Sequence, residues 1–235
     1  MNKKEYWANF YDEFYENSLG SYALERDSRI IKQLVSSNSG VALDFPCGMG
    51  RHTKMLLSLG FDVVSADISA KMRKHVREKY GVGVINMDLF SLPRSNRKFD
   101  VILSSRVFFH YEDLSVLLEN LSGFLKPEGV LVFDTLNKYS TRYFIHKVLW
   151  ALFGSRFVKE ELYFRTKEEV LSILKDSGFE VQETVSAYIL PTRAYKLAPS
   201  FLNKVFDIIE RILPSQLRVL TFWKVRISPP TSLLL

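Results

Sequence analysis

The sequence predicts an α/β fold in which a mostly parallel sheet carries helices on both faces. Short apolar runs alternate with amphipathic stretches at regular intervals along the chain. A glycine turn, Gly48-Met49-Gly50, follows the first apolar run and opens a helix-compatible stretch. Because ligands of such sheets bind at the carboxyl ends of the strands, polar residues at these ends indicate a binding site. Residues of this kind are Asp67, Asp88, Ser105 and Asp134.

Composition limits the class of protein. The chain has 235 residues, of which 47% are hydrophobic, and this suits one globular domain over 1–235 with a full core. The single cysteine, Cys47, cannot form an internal disulfide and fits a reducing compartment. The sequence has no uncharged apolar run of about 18 residues and no signal-peptide core at its start. We therefore expect a cytoplasmic protein.

The strands and turns follow from local patterns. Apolar runs rich in β-branched and aromatic residues indicate strands. The segment Lys126-Pro127-Glu128-Gly129 is typical of a turn, and 191–199, which begins and ends with proline, is predicted as a loop. Seven strands result, at 41–45, 61–66, 83–87, 99–104, 130–133, 179–188 and 217–227.

The helices follow from caps and apolar periodicity. Ser69 and Asp113 are typical N-cap residues. Thr166, with Glu169 three residues later, forms a capping-box pattern, and Gly178 is placed to end that helix. Apolar residues at helical spacing predict further helices at 5–22, 21–37, 51–59 and from 201 onward.

Three aromatic segments lie outside the regular alternation of strands and helices. Residues 1–37 are predicted to form a helical cap, and 138–163 and 189–214 are inserts in the second half. The regular part, 41–136, is the expected binding core. We expect the three segments to act as helical lids that supply apolar surface to a second ligand.

Positive charge is concentrated near the C-terminus. The net charge is +6, and residues 191–235 hold seven Lys and Arg against two Asp and Glu. The basic amphipathic stretch 201–226 suits contact with an anionic membrane surface or with phosphate. A solvated basic face is the plainer interpretation, and the sequence leaves both open.

The sequence of the glycine turn discriminates between two kinds of nucleotide-binding site. A dinucleotide fingerprint requires G-x-G-x-x-G, whose last glycine allows close packing of the helix. Thr53 occupies that last place here. Pro46 replaces the first glycine of the longer acid-x-G-x-G-x-G pattern. A dehydrogenase is therefore a distant alternative.

The motifs together resemble the class I S-adenosylmethionine-dependent methyltransferase family. The resemblance rests on the order and spacing of 43–51, 66–69, 88–89, 99–107 and 125–133, and covers roughly 41–188. It implies a Rossmann-like seven-stranded sheet with an antiparallel last strand, and S-adenosyl-L-methionine as the cofactor. It further implies cofactor contacts from Asp44, Cys47, Gly48, Gly50, Asp67, Ile68, Asp88, Leu89 and Ser105.

The resemblance also implies roles for these residues. Asp67 would accept the ribose hydroxyls, Asp88 the adenine amino group, and the Leu89 N–H would meet a ring nitrogen. The glycine turn would carry the methionine part, with Asp44 binding or orienting its amino group. We expect Cys47 to be a small buried residue, because no base is spaced to activate it as a nucleophile. No His/Cys cluster has zinc-ligand spacing, so we expect no metal.

The sequence indicates less about the residues that bind the methyl acceptor than about those that bind the donor. His110, just beyond the fourth strand, is the candidate base, and its alternative role is to pack against or cap the next helix. The aromatic segments favour a small acceptor that is hydrophobic or linked to a lipid. The candidate acceptor contacts are Tyr11, Tyr111, Tyr139 and Tyr143.

Two other functions stay open at this point. An RNA methyltransferase could use the basic tail, but Ser104-Ser105-Arg106-Val107 stands where amino-group methylases carry an Asn/Asp-Pro-Pro-aromatic motif. We therefore expect no nucleic acid partner. A non-catalytic protein that binds the donor and serves a partner is the other possibility. The sequence does not indicate an oligomeric state.

Overall fold

The computed structural model describes residues 22–89, 97–154 and 162–229, which form one sheet flanked by helices. The helix predicted at 5–22 lies outside these residues except for Tyr22. The strands are β1 (Val41–Asp44), β2 (Asp62–Asp67), β3 (Gly83–Asn86), β4 (Phe99–Ser104), β5 (Leu125–Asn137), β6 (Phe164–Arg165), β7 (Phe179–Ala187) and β8 (Leu220–Ile227). The helices are α1 (Tyr22–Val35), α2 (Arg51–Ser58), α3 (Ala70–Tyr80), α4 (Leu114–Ser122), α5 (Thr141–Phe153), α6 (Lys167–Asp176), α7 (Thr192–Leu197) and α8 (Ser200–Ile212).

The strand order confirms the predicted fold class. The sheet runs β3-β2-β1-β4-β5-β8-β7, and the short β6 pairs with β5. Strands β1 to β6 pair in parallel, whereas β8 is antiparallel to both β5 and β7. The chain winds outward from β1 to β3 and then crosses back to β4. The crevice between β1 and β4 is therefore the switch point at which such sheets bind ligands.

Both faces of the sheet are covered because neighbouring residues of the central strands point in opposite directions. One face carries Leu43, Val64, Ile102 and Leu131, packed with apolar residues of α4 and α6. The opposite face carries Ala42, Val63, Val101 and Val132, packed with apolar residues of α1 and α2. The continuous apolar runs in the sequence are explained by this double burial.

The turn predicted at 126–129 was wrong, because these residues belong to β5. Phe99 pairs with Leu125 and Val101 with Val130, so β5 advances five residues while β4 advances two. The excess residues bulge out of the ladder within one long strand. A Cβ on Gly129 would stand 2.7 Å from the Phe99 carbonyl oxygen, so this position needs glycine.

Two further elements differ from the sequence prediction. The predicted loop at 191–199 contains α7, because Pro191 and Pro199 flank this helix instead of interrupting it. The two-residue β6 was not predicted, since a pair this short carries no alternating pattern. The capping box of α6 was predicted correctly: the Thr166 hydroxyl accepts the Glu169 N–H, and Glu169 accepts the Thr166 N–H.

A buried ionic cluster ties α1 to the sheet. Asp27 of α1 is 0% exposed. Its carboxylate accepts hydrogen bonds from Arg106 Nη2 at 2.5 Å and from the Tyr188 hydroxyl at 2.7 Å. Arg51, the first residue of α2, places Nη1 3.8 Å from the same carboxylate. One acid therefore joins the first helix, the segment after the glycine turn and the segment after β4.

Arg106 is the centre of this cluster. Its φ is 65°, a left-handed conformation that side chains other than glycine rarely adopt. Its N–H donates to Asp134 Oδ1 at 2.6 Å, and its Nε lies 3.8 Å from Asp134 Oδ2. Burial lowers the pKa of the Arg106 guanidinium, but the charges of Asp27 and Asp134 outweigh burial and raise this pKa above its ordinary value. Arg106 therefore stays charged inside the protein.

Replacing Arg106 with methionine should destabilise the protein strongly. The change leaves the buried carboxylate of Asp134 without its cation and leaves Asp27, among the described residues, with only the more distant cation of Arg51, at 3.8 Å. Removal of one partner of a buried pair costs about 3–5 kcal/mol. Urea unfolding followed by circular dichroism measures the loss. Lys74→Met is the matched control, because the Lys74–Glu78 pair is exposed and its N···O distance is 3.9 Å. Equal stability of the two variants would contradict this account.

Candidate active site

The glycine turn is held between two strands. The Cys47 N–H donates to the Ala66 carbonyl of β2 at 2.8 Å. The Phe45 N–H donates to the Leu103 carbonyl of β4 at 2.9 Å. The Phe45–Pro46 peptide bond is cis. The turn therefore lies at the carboxyl ends of β1, β2 and β4, at the switch point of the sheet.

The two glycines of the turn differ in their surroundings. Gly50 has φ 78°, and a Cβ there would stand 2.5 Å from the Tyr80 ring, so this glycine lets α3 approach the turn. Gly48 has φ 49°, and a Cβ there would meet nothing within 4 Å. The open side of Gly48 is where a ligand can approach the backbone. The first N–H groups of α2 follow and favour an anionic group.

Asp67 closes one side of this space. Its Oδ2 accepts the Gly48 N–H at 3.0 Å, and its Oδ1 accepts the Ser69 N–H at 2.8 Å. Burial raises the pKa of Asp67, although the backbone hydrogen bonds oppose this shift. Each oxygen keeps a further lone pair for a ligand hydroxyl. The neighbouring Ile68 is 38% exposed and offers an apolar contact beside the carboxylate.

Asp44 faces inward. It is buried, and its Oδ2 accepts a hydrogen bond from the Thr53 hydroxyl at 2.7 Å. Thr53 Oγ1 lies 2.8 Å from Ser65 Oγ, so Asp44 joins β1 to α2 and β2. Burial raises the pKa of Asp44 to about 7, with Thr53 opposing the shift. The neighbouring Cys47 is buried as well, and burial raises the pKa of its thiol, which disfavours a thiolate nucleophile.

Asp88 and Leu89 follow β3. Asp88 is half-buried, and Leu89 is buried with its carbonyl accepting Asn120 Nδ2 at 2.8 Å. Tyr111, a predicted acceptor contact, is half-buried on this side of the site. Burial, and then the charge of Asp88, raise the pKa of its phenol. The structure therefore brings Tyr111 towards the acid predicted to bind adenine.

His110 lies on the segment after β4. It ends a single 3₁₀ turn, Phe108–His110, and is half-buried. Its N–H donates to the Val107 carbonyl at 2.9 Å, and its ring lies 4.6 Å from the Phe109 ring. Ser105, also half-buried, precedes this turn. His110 and Ser105 thus share the carboxyl edge with the glycine turn.

A second histidine, His52, lies close to the glycine turn in the chain and was not predicted as a site residue. His52 is buried in α2, and its Nε2 lies 2.8 Å from Arg51 Nη2. Burial, with the charges of Arg51 and Arg106, lowers the pKa of His52 well below its ordinary value. A neutral ring whose Nε2 accepts from arginine carries its proton on Nδ1. Among the described residues, Nδ1 and the buried Ser104 Oγ have no hydrogen-bond partner, which fits a polar ligand at this edge.

The remaining predicted acceptor residues lie beyond β5. Tyr139 is exposed and lines a cleft of about 80 Å³ with Asn137, Arg165 and Trp223 among its neighbours. Tyr143 is half-buried and packs edge-to-face on Phe164, with ring centroids 5.3 Å apart. Tyr11 lies outside the described residues. The structure therefore places Tyr139 and Tyr143 beside β6.

Only part of the basic stretch 201–226 is an available surface. Strand β8 lies between β5 and β7, so the positions from 220 onward cannot contact a partner as an amphipathic helix would. Lys224 Nζ donates to Ser37 and Asn38, and Arg226 pairs with Glu180. Arg218 pairs with Glu210. Exposed cations on α8 are Lys204 and Arg211.

No group of three or more His, Cys, Asp or Glu side chains in the described residues could hold a metal ion. Within the same ranges, no helix has the length and apolar character needed to cross a membrane.

The fold and site define a nucleotide-binding α/β enzyme, and comparisons identify its family. A family model for the methyltransferase domain matches residues 43–133. An uncharacterized methyltransferase from Anoxybacillus flavithermus is 30% identical over 183 residues, covering 74% of each chain. The chain belongs to the class I S-adenosylmethionine-dependent methyltransferase family, and it is an enzyme that uses S-adenosyl-L-methionine.

Two further similarities support this assignment. The ubiquinone biosynthesis O-methyltransferase of Rickettsia canadensis is 24% identical over 196 residues, or 77% of this chain and 82% of that relative. An S-adenosylmethionine-dependent methyltransferase structure from Thermotoga maritima superposes with a TM-score of 0.66 at 16% identity. The match covers 96% of this chain and 97% of that one, and it shows the shared fold.

The two turn glycines should respond differently to alanine. Gly50→Ala should destabilise the protein, because the new Cβ meets the Tyr80 ring. Gly48→Ala should cost only about 1–2 kcal/mol for its left-handed backbone, yet weaken donor binding at least tenfold. Thermal unfolding and calorimetry with S-adenosyl-L-methionine measure the two effects. Unchanged donor affinity in Gly48→Ala would show that the open side of Gly48 is not the donor site.

Asp44 should make stability depend on pH in the donor-free protein. Its pKa in the folded state, about 7, is raised above the ordinary value of 3.8. Its contribution to stability is therefore full below the unfolded pKa and is lost as the pH rises through about 7. Urea unfolding between about pH 5 and about pH 8 should show this loss in wild type and in the exposed control Asp62→Asn. Asp44→Asn should lack it, and equal slopes in all three proteins would contradict the prediction.

Proposed function

We propose that this methyltransferase acts on a small acceptor that is hydrophobic or linked to a lipid, by in-line methyl transfer. The observation that carries the proposal is the contrast between the two parts of the carboxyl edge. The donor part, at β1 to β4, presents acids and backbone N–H groups. The acceptor part, after β5 and β7, consists of 138–154, 162–163 and 189–214, whose helices present aromatic and aliphatic side chains.

The donor would be held by residues of the first four strands. Gly48 and the start of α2 suit the carboxylate of its methionine part, and Asp67 suits the ribose. Asp88, the Leu89 N–H and the exposed face of Ile68 suit the adenine. When bound, the donor supplies a methyl group already activated by its sulfonium. The protein then contributes positioning and exclusion of water, which need no nucleophile on the chain.

The acceptor proton would pass to His110. Its position after β4 puts the imidazole on the segment between the donor turn and the acceptor part. A base there has to be within hydrogen-bond reach of an acceptor hydroxyl or amine. The Rickettsia relative is named for O-methylation, and this name supports an oxygen acceptor. Tyr139 and Tyr143 would line the acceptor side, and Tyr111 would stand closer to the donor.

RNA is the weaker alternative as an acceptor. The basic tail suggested it, but three of the tail's cations, Arg218, Lys224 and Arg226, pair within the described residues. Contact with a membrane through 201–226 fits the structure only for α8 and the residues up to 217. That contact would bring the enzyme to the layer where hydrophobic acceptors reside.

The acceptor class can be tested by following the methyl group. Incubation with methyl-labelled donor and a cell lysate should place label in the lipid or small-molecule fraction. Label found only in RNA or protein would overturn the proposed acceptor.

His110→Gln tests the base. Loss of a general base lowers kcat by about 10²-fold or more while donor affinity stays unchanged. Activity should recover partly at high pH, where the acceptor ionises without help. His75→Gln on α3 is the matched control and should keep wild-type kcat. A variant with His110→Gln that keeps full kcat at every pH would assign His110 to packing alone.

A further inference from the structure

The other described elements cover little of the surface of helix α5. None of its thirteen residues, all of which the structure describes, is buried. Its large apolar side chains face solvent: Phe144 is 60% exposed, Val148 56%, Trp150 52% and Leu152 68%. A short helix of this composition in the interior would bury such residues. Contiguous exposure of this kind marks an interaction site.

The contacts of α5 leave one side of the helix to solvent. Tyr143 and His146, three residues apart, both pack on Phe164 with ring centroids 5.3 Å away. The opposite stripe consists of residues at helical spacing, all of them exposed. We call this stripe the docking face; its members are Ile145, Val148, Leu149 and Leu152.

The charged side chains that α5 and α8 expose to solvent are positive. Helix α5 carries Arg142 and Lys147 and contains no Asp or Glu. The two acids of α8 turn inward: Arg26 donates to Asp207 at 3.0 Å and to Glu210 at 2.5 Å and 2.9 Å. The exposed charges of α8 are therefore Lys204 and Arg211, beside the exposed apolar side chains Phe201, Ile208 and Ile212.

The topology brings both helices to the same edge of the sheet. Leu220 of β8 pairs with Leu136 near the end of β5 and with Ala187 at the end of β7. Helix α5 begins four residues after β5, and the segment containing α8 follows β7. Both therefore leave the carboxyl edge, which also holds the glycine turn.

We propose that α5, together with α8, docks this enzyme on an anionic phospholipid membrane, with the docking face in the interface. The lipid contact proposed above involves 201–226 and does not include α5. Exposed apolar side chains flanked by cations and free of acids match a lipid interface. A second copy presenting the same face would bring like charges together, so charge complementarity favours anionic lipid over self-association.

Vesicle co-sedimentation tests the proposal on the 235-residue chain. Wild type should bind vesicles of phosphatidylcholine with about 30% phosphatidylglycerol, and bind phosphatidylcholine alone more weakly. The double variant Val148→Glu/Leu152→Glu, which places two charges on the docking face, should lose at least tenfold in binding. Leu171→Glu on α6, where the side chain is 39% exposed, is the matched control and should bind as wild type.

Each other outcome overturns the proposal. Absence of wild-type binding, or equal loss in Leu171→Glu, excludes docking through α5. A lower melting temperature in the double variant alone would show that the chain itself covers the docking face. A wild-type dimer that the double variant converts to monomer, without vesicle binding, would assign the face to a second copy. The assay contains neither donor nor acceptor, so its failure leaves the proposed reaction untouched.

Discussion

The contact between Asp27 and Arg106 is the interaction on which the rest of the site depends. Arg106 adopts a left-handed backbone that its side chain disfavours, and two buried carboxylates hold it there. Its N–H bond to Asp134 sets the direction in which the chain leaves β4. Ser105 and His110 lie on either side of it. A solvated lysine in this place could not supply the paired donors that a guanidinium offers to two acids.

The two sides of the proposed site differ in how firmly the fold holds them. The proposed donor edge consists of strand ends and a turn, and backbone hydrogen bonds tie each of these to its neighbours. Asp44 and Thr53 fasten the helix that follows the turn. The proposed acceptor side consists of short helices joined to the ends of β5 and β7. If the acceptor binds there, changes in those helices would alter its selection without disturbing strand register, because the sheet pairs independently of them.

The strand, the glycine turn and the acid of the proposed donor side could be predicted because their signals are local. A buried strand, a glycine turn and an acid at the next strand end all lie within 41–67, and the structure places them together. The bulge at 126–129 could not be predicted, since a proline-glycine pair looks alike in a turn and in a strand that outruns its partner. The partners of Asp27 lie 79 and 161 residues away, beyond any local pattern. Likewise, nothing local distinguishes the outward cations of 201–226 from those that pair inside.

Two neighbouring side chains of α1 connect α8 to the segment that follows β4. Successive residues of a helix point about 100° apart, so Arg26 reaches α8 while Asp27 reaches Arg106. Arg26 makes three charge-assisted hydrogen bonds to Asp207 and Glu210. A displacement of α8 must therefore break these bonds or carry α1 with it, and α1 then pulls on the loop after β4. A displacement at the proposed acceptor side would therefore be transmitted to the segment after β4 that carries Ser105 and His110.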